Sequence, residues 1–519
     1  MSAVDVAPEV PLAPVATSRG VARNSALYFL SLGVPAVAAL FLVPVTVRAL
    51  GPSRFGLLAL AWAVAETTGM FDFGLGKATV RFVADATGKG KERLKEIVLA
   101  SVVTQSSMGV VAGVLLFSLA PLLVHRVFSI APASVHEATA MFRVLALHMP
   151  VLLGIAALRA ALEGAQRFDI STPLRIPGSL ASVVVPAIAA SMGASLATIM
   201  WLLLGVRVTL ALITAYAVRR VLLPGRWALP SGFGTLREML GYSGWVAISS
   251  GLGPILGSFD RFTVGSVIGS VGLGYYSGAA EAANRFLLIP VTAFSAMLPA
   301  LAATDARDGR DRSLVVTRAA RRQLAALFLP LCLALFSFGP AILAVWLGPS
   351  FAQAAGLALR ILSVGIFLTG LAVLPLALLY GSGRPDLPAK INLFQVAVHI
   401  PLTIVLVRTW GITGAAAAVA IRCAEDFIFY EWASRRAVGR HLPGAGERER
   451  ARRLWLSAAT LVVAFAVAIW FQNASWLTAV AFVAAGLAVY AWLCWTQVLS
   501  EGERRAWLGM LFSARPISR

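Results

Sequence analysis

Four arginines, Arg207, Arg261, Arg285 and Arg422, stand inside long apolar runs, and a guanidinium in such surroundings demands an explanation. An arginine at the centre of a membrane helix costs about 2.5 to 3.5 kcal/mol on insertion scales, so it faces a partner or a wet cavity in place of lipid. Carboxylates are close in sequence to two of the four. Glu281 lies four residues before Arg285, and Glu425 and Asp426 follow Arg422 by three and four, spacings that put opposite charges on one helix face. Asp260 adjoins Arg261, and Glu66 and Asp72 fall in the second apolar run. Arg207 has no acid at helical spacing, so it requires a partner on another helix or an anionic ligand. Guanidinium groups stay protonated and present planar, paired donors, which suit phosphate or pyrophosphate. Two readings remain open: charge pairs that fix helix packing, or a cationic cavity for an anionic cargo. The acids carry a similar choice. Glu66, Asp72 and Asp260 are candidates for coupling to a proton or sodium ion, because a carboxylate in a cavity switches protonation as the cavity opens. For Asp72 and Asp260 the alternative is structural, tying helix ends or pairing with Arg261.

The elements that hold these residues follow from composition. The chain has 519 residues, of which 59% are hydrophobic and 13% charged, with a mean hydropathy of +0.81. Many windows are long enough to cross a bilayer. Spans are expected near 26–47, 55–80, 97–124, 138–162, 170–190 and 195–218, then near 240–268, 272–302, 323–346, 356–380, 388–408 and 411–432, and finally near 454–471 and 476–498. The expected architecture is an all-α polytopic membrane protein with fourteen transmembrane helices, in two pseudo-symmetric six-helix bundles plus two C-terminal helices. The expected divisions are a cytoplasmic tail (1–24), an N-lobe (25–220), a cytoplasmic linker (221–239), a C-lobe (240–432), a basic cytoplasmic loop (433–453), the last two helices (454–498) and a second cytoplasmic tail (499–519).

An internal repeat supports the two lobes. Gly164-Ala-Gln-Arg167-Phe-Asp169 returns 217 positions later as Gly381-Ser-Gly-Arg384-Pro-Asp386. Phe142-Arg143-Val144-Leu145 returns as Leu359-Arg360-Ile361-Leu362, and Leu50-Gly51 with Phe55-Gly56 returns as Ile268-Gly269 with Leu273-Gly274. An offset that stays nearly constant requires equal helices and loops in both halves. The hexapeptide falls in a turn, where Arg167 and Arg384 serve topology and Asp169 and Asp386 are expected to cap the next helix.

Orientation follows from the basic residues. Assigning alternate loops to the cytoplasm collects most of the 44 lysines and arginines there, including Lys89, Lys91, Arg219, Arg220, Arg435 and Arg436. Both termini are then cytoplasmic and the net charge of +20 faces anionic lipid head groups. Scattered loop charge of this kind argues against nucleic-acid binding. Cys332, Cys423 and Cys494 fall in apolar runs as core residues, with no disulfide framework or metal spacing. His148 and His399 are lone histidines in apolar helices, read as packed or hydrogen-bonded. Gly253 and Gly257 form a small-residue pair expected at close helix packing. Gly88-Lys89-Gly90-Lys91 lacks the spacing of a nucleotide-binding loop, and no triad of nucleophile and base is present, so neither ATP hydrolysis, a cofactor nor enzymatic catalysis is expected.

Leu50-Gly51-Pro-Ser-Arg-Phe55-Gly56, Phe71-Asp72-Phe-Gly74-Leu-Gly76 with Arg81, Phe259-Asp260-Arg261 and Gly274-Tyr275-Tyr276-Ser277 together resemble the bacterial polysaccharide exporters of the MATE-like, or MOP, flippase superfamily. The resemblance covers the first twelve spans. It implies a Wzx-type flippase of the bacterial inner membrane that moves an undecaprenyl-pyrophosphate-linked oligosaccharide to the periplasmic leaflet during O-antigen biosynthesis, alongside glycosyltransferases and a polymerase. Arg207, Arg261, Arg285 and Arg422 would then hold pyrophosphate, with Glu66, Asp72, Asp260, Glu281, Glu425 and Asp426 as coupling or structural acids. A lipid II flippase would share this chemistry. A multidrug or cation antiporter would favour an acidic cavity, and a membrane-embedded glycosyltransferase would need a catalytic constellation.

Overall fold

In the computed structural model, which describes residues 18–87, 91–223, 234–308, 310–438, 444–471 and 476–512, every long apolar run is helical. Lipid leaves a peptide group no other way to satisfy its hydrogen bonds within a single segment. The first half contains α1 (Ser18–Thr67), α2 (Leu75–Ala86), α3 (Lys91–Leu122), α4 (Val135–Gly164), α5 (Phe168–Ser191) and α6 (Leu196–Leu222). The second contains α7 (Gly234–Val267), α8 (Ser270–Asn284), α9 (Leu288–Asp308), α10 (Arg310–Trp346), α11 (Pro349–Gly381) and α12 (Asp386–Val438). Three helices follow: α13 (Ala445–Phe471), α14 (Trp476–Leu493) and α15 (Glu501–Phe512).

Among the described residues, ten helical segments are long and apolar enough to cross a membrane. Two of them, Leu30–Asp72 and Asp386–Ala437, have 43 and 52 residues and turn back at Gly51 and Gly411, where the backbone leaves helical geometry. Each therefore crosses twice. With α7 and the α8–α9 pair the crossings number fourteen.

The repeat is visible in the backbone itself. Left-handed φ angles occur at Gly51 and Gly269, at Gln166 and Gly383, and at Gly193 and Gly411, with members of each pair 217 or 218 positions apart. These are the turns between successive crossings, and the left-handed region suits glycine best. Two crossings expected to be continuous are interrupted, and at equivalent places. In 55–80 the helix tightens to a 3-10 turn at Thr68–Asp72 and passes through left-handed Phe73 and Gly74 before α2 begins. In 272–302 a 3-10 turn at Arg285–Leu287 separates α8 from α9. There Pro290 has no N–H to donate to the Phe286 carbonyl, which weakens the helix at that turn. Of the segment 433–453, expected as a basic loop, the described residues 433–438 and 445–453 are helical. α12 continues to Val438 and α13 begins at Ala445, and within them Arg435 and Arg453 pair with Glu431 and Glu449 one turn back, at 2.9 and 2.8 Å.

Packing divides the chain into two compact units. The first comprises residues 1–277 with 396–400, and the second 278–395 with 401–519. In the first, Leu75 and Val83 of α2, Leu94 and Ile97 of α3, Leu158 and Leu162 of α4 and Leu222 of α6 close one end of the helix group. In the second, Leu461 and Phe465 of α13 and Tyr490 of α14 bury against Ala325 of α10 and Leu371 of α11. The Tyr490 hydroxyl donates to the Ala326 carbonyl at 3.0 Å, anchoring α14 to the repeat-derived helices. All three cysteines are buried thiols.

Candidate functional site

The four arginines divide between the units, Arg207 and Arg261 in the first and Arg285 and Arg422 in the second. Three of them have carboxylate partners. Arg261 Nη1 lies 3.1 Å from Glu66 Oε2, joining α7 to the second crossing of α1, and the Ser258 hydroxyl donates to the same oxygen at 3.3 Å. Arg285 pairs with Glu281 one turn earlier. Arg422 lies 3.6 Å from Asp426, whose other oxygen accepts from Gln395 at 2.9 Å. Glu425 is adjacent, with one buried oxygen lacking a hydrogen bond among the described residues.

Arg207 has a different partner. Its Nη1 donates to His148 Nδ1 at 2.5 Å, and His148 Nε2 lies 3.1 Å from the Met200 carbonyl oxygen. Together these contacts fix the tautomer: Nδ1 accepts and carries no proton, while Nε2 carries the proton and donates. The ring is therefore neutral, so it orients the guanidinium without cancelling its charge. His148 is fully buried on α4 and Arg207 half-buried on α6, so a net positive charge is held at a fixed place inside an apolar span. No carboxylate stands within ion-pair distance of Arg207 among the described residues.

The acids separate into distinct roles. Both oxygens of Asp72 accept from the Gly76 backbone N–H, at 3.1 and 2.9 Å, fixing the start of α2 after the break. Asp260 accepts from the Tyr276 hydroxyl and is 7% exposed, with its second oxygen lacking a hydrogen bond among the described residues. Glu66 is the accessible one, its side chain 58% exposed beside the nearly buried Arg261. The same stripe of α7 carries Gly253 and Gly257. A Cβ at either would meet nothing within 4 Å, so these glycines face open space and do not mark close helix packing.

The hexapeptide motifs make a local clamp in each half. Arg167 Nε and Nη2 reach Asp169 at 2.9 and 3.0 Å, and Arg384 reaches Asp386 at 3.0 and 3.3 Å. Asp169 thus spends its oxygens on arginine, and α5 has no side-chain cap. Sequence reasoning did not join His148 to Arg207, 59 residues away, or Glu66 to Arg261, 195 residues away. It also passed over Arg54, which grips Glu137 at 2.6 and 3.1 Å, while Glu137 accepts from the Leu196 N–H at the start of α6.

A family model described as polysaccharide biosynthesis protein matches residues 21–304, more than half of the chain. A relative from Shigella flexneri, named "Putative O-antigen transporter", is 25% identical over 417 residues, which are 79% of this chain and 96% of its own length. Among solved structures, an inward-facing multidrug resistance MATE family transporter of the MOP superfamily matches with a TM-score of 0.62 at 19% identity, over 80% of this chain and 94% of that one. A MOP superfamily transporter from Pyrococcus furiosus, whose description stresses the reversed polarity of its binding pocket, matches with a TM-score of 0.60 at 18% identity, over 80% and 95%. The fold is that of these transporters, and with the repeat, the fourteen crossings and the matched family model, the chain belongs to the polysaccharide biosynthesis protein family.

Proposed function

We propose that the protein is a flippase that carries an undecaprenyl-pyrophosphate-linked oligosaccharide from the cytoplasmic to the periplasmic leaflet of the inner membrane. The observation that carries this reading is the Arg207–His148 pair, an uncancelled guanidinium held in place within an apolar span. A pyrophosphate headgroup supplies the missing negative charge and accepts paired hydrogen bonds. The family and the Shigella flexneri relative supply the cargo class.

In this reading the lobes at 25–220 and 240–432 rock about the cargo while its prenyl chain stays in lipid. Arg261, Arg285 and Arg422 add cationic contacts when their own carboxylates yield to the cargo. Both termini lie in the cytoplasm. A cell interior negative by 100 mV assists each outward-moving negative charge by about 2.3 kcal/mol. Glu66 is the carboxylate best placed for coupling to a proton or sodium ion, because it is exposed and already faces Arg261.

The test follows a labelled lipid-linked oligosaccharide in proteoliposomes, with Arg207→Ala and Arg422→Ala made separately. Loss of a charge-assisted hydrogen bond worth about 1.5 to 3 kcal/mol lowers translocation roughly tenfold to a hundredfold in Arg207→Ala. Undiminished transport in both variants would overturn the proposal.

A further inference from the structure

A cavity of about 830 Å³ lies within the second unit, and none of the four arginines assigned to cargo lines it. Its walls are α10, α12 and α13, and its lining changes character along all three in the same direction. On α12, Phe427 and Ile428 give way to Trp432 and then to Arg435 and Arg436. On α13, which runs the other way, Arg448 gives way to Leu454 and Trp455. On α10, Arg318, Arg321 and Arg322 precede Ala325, and Leu371 of α11 completes the apolar end.

Charge is unevenly distributed within it. The arginines of α10 are matched: Arg318 lies 3.6 Å from Glu447, Arg321 pairs with Glu431, and Arg322 lies 2.5 Å from Glu503 of α15. Those of α12 and α13 have no carboxylate of their own. Arg435 shares Glu431 with Arg321, Arg436 stacks over Trp432 at 4.2 Å, and Arg448 has no ion pair among the described residues. Three guanidiniums therefore exceed the available carboxylates where the apolar wall ends. A bare phosphate would fill a small part of this volume and leave the apolar end to water. An amphiphile with a phosphate headgroup fills both.

We propose that this cavity is a binding site for an anionic phospholipid of the leaflet at the arginine-rich end of the second unit, its phosphate on Arg435, Arg436 and Arg448 and its acyl chains along Phe427, Leu371 and Leu454. Trp432, stacked under Arg436, stands where the polar lining meets the apolar one, the place interfacial indoles favour. Each arginine near such a surface adds to the attraction for anionic lipid, and the three together account for a preference on the order of a hundredfold over a zwitterionic lipid.

Native mass spectrometry of the purified full chain, titrated with phosphatidylglycerol or phosphatidylcholine, tests this without any transport assay. The expected result is retained phosphatidylglycerol, at least tenfold less of it in the Arg435→Gln, Arg436→Gln, Arg448→Gln triple variant, and no loss in the Arg219→Gln, Arg220→Gln control, which removes charge from α6 instead. Ala451→Trp, which fills the cavity and keeps every charge, should also lower retention. Equal retention of the two lipids, an unaffected triple variant, or displacement of phosphatidylglycerol by millimolar inorganic phosphate would each overturn the proposal, the last by identifying a site for a free anion.

Discussion

His148 gives Arg207 a lone pair and withholds a charge, and this distinction separates a structural arginine from one available to a ligand. A carboxylate in its place would hold the guanidinium as firmly but would neutralise it. His148→Glu should therefore keep or raise the folding midpoint while lowering translocation about tenfold or more, the cost of losing a charge-assisted contact. His148→Asn, which keeps a neutral acceptor, should retain most activity. Proteoliposome transport beside thermal unfolding makes the comparison, and unimpaired transport by His148→Glu would contradict the role assigned to Arg207. At the same scale, Ser500 and Glu503 exchange hydrogen bonds, 2.7 Å from the Ser500 N–H to the Glu503 carboxylate and 3.3 Å from the Glu503 N–H to the Ser500 hydroxyl. This capping box starts α15 and turns Glu503 toward Arg322 and Gln323.

Between elements, the most constrained contact joins the second crossing of α1 to the start of α8, both within the first unit. It is built from repeat mates. The hydroxyls of Ser53 and Ser270 hydrogen-bond at 2.9 Å, and they stand 217 positions apart. A Cβ on Gly56 would come within 2.0 Å of the Ser270 carbonyl oxygen, and one on Gly274 within 1.9 Å of that of Pro52. Neither helix start could approach the other with any larger residue at these two positions. Alternating access requires that a contact on one side of the membrane separate during the cycle. Cysteines in place of Ser53 and Ser270 should oxidise to a disulfide and arrest transport until reductant is added, the three native thiols being buried. Full cross-linking without loss of transport would mean that this contact stays closed throughout.

At the scale of the whole molecule, twelve crossings derive from the repeat and two are appended, with α13 and α14 covering α10 and α11. In the proposed orientation the α5–α6 turn lies in the periplasm and the α11–α12 turn in the cytoplasm. A cysteine replacing Met192, which is 81% exposed, should then react with an impermeant thiol reagent added to intact spheroplasts, and one replacing Ser382 should react only after lysis. The opposite pattern would reverse the topology and with it the direction of transport.

The sequence by itself determined the helical class, the crossings and the duplication. Those depend on the length of apolar runs and on local spacing, which a bilayer enforces segment by segment. It also determined which pairs meet one turn apart, Arg285 with Glu281 and Arg422 with Asp426, because helix geometry alone brings them together. The breaks at Thr68–Asp72 and Arg285–Leu287 were marked by Gly74 and Pro290, residues whose effect on a long helix depends on its surroundings. Only the tertiary structure decided that Arg207 meets His148, that Glu66 lies beside Arg261, that Gly253 and Gly257 face open space, and that arginines from α10, α12 and α13 border one cavity. Each of these joins helices far apart in the chain, and in lipid, where no hydrophobic force selects the partner, side-chain fit and polar contacts between helix faces make that choice.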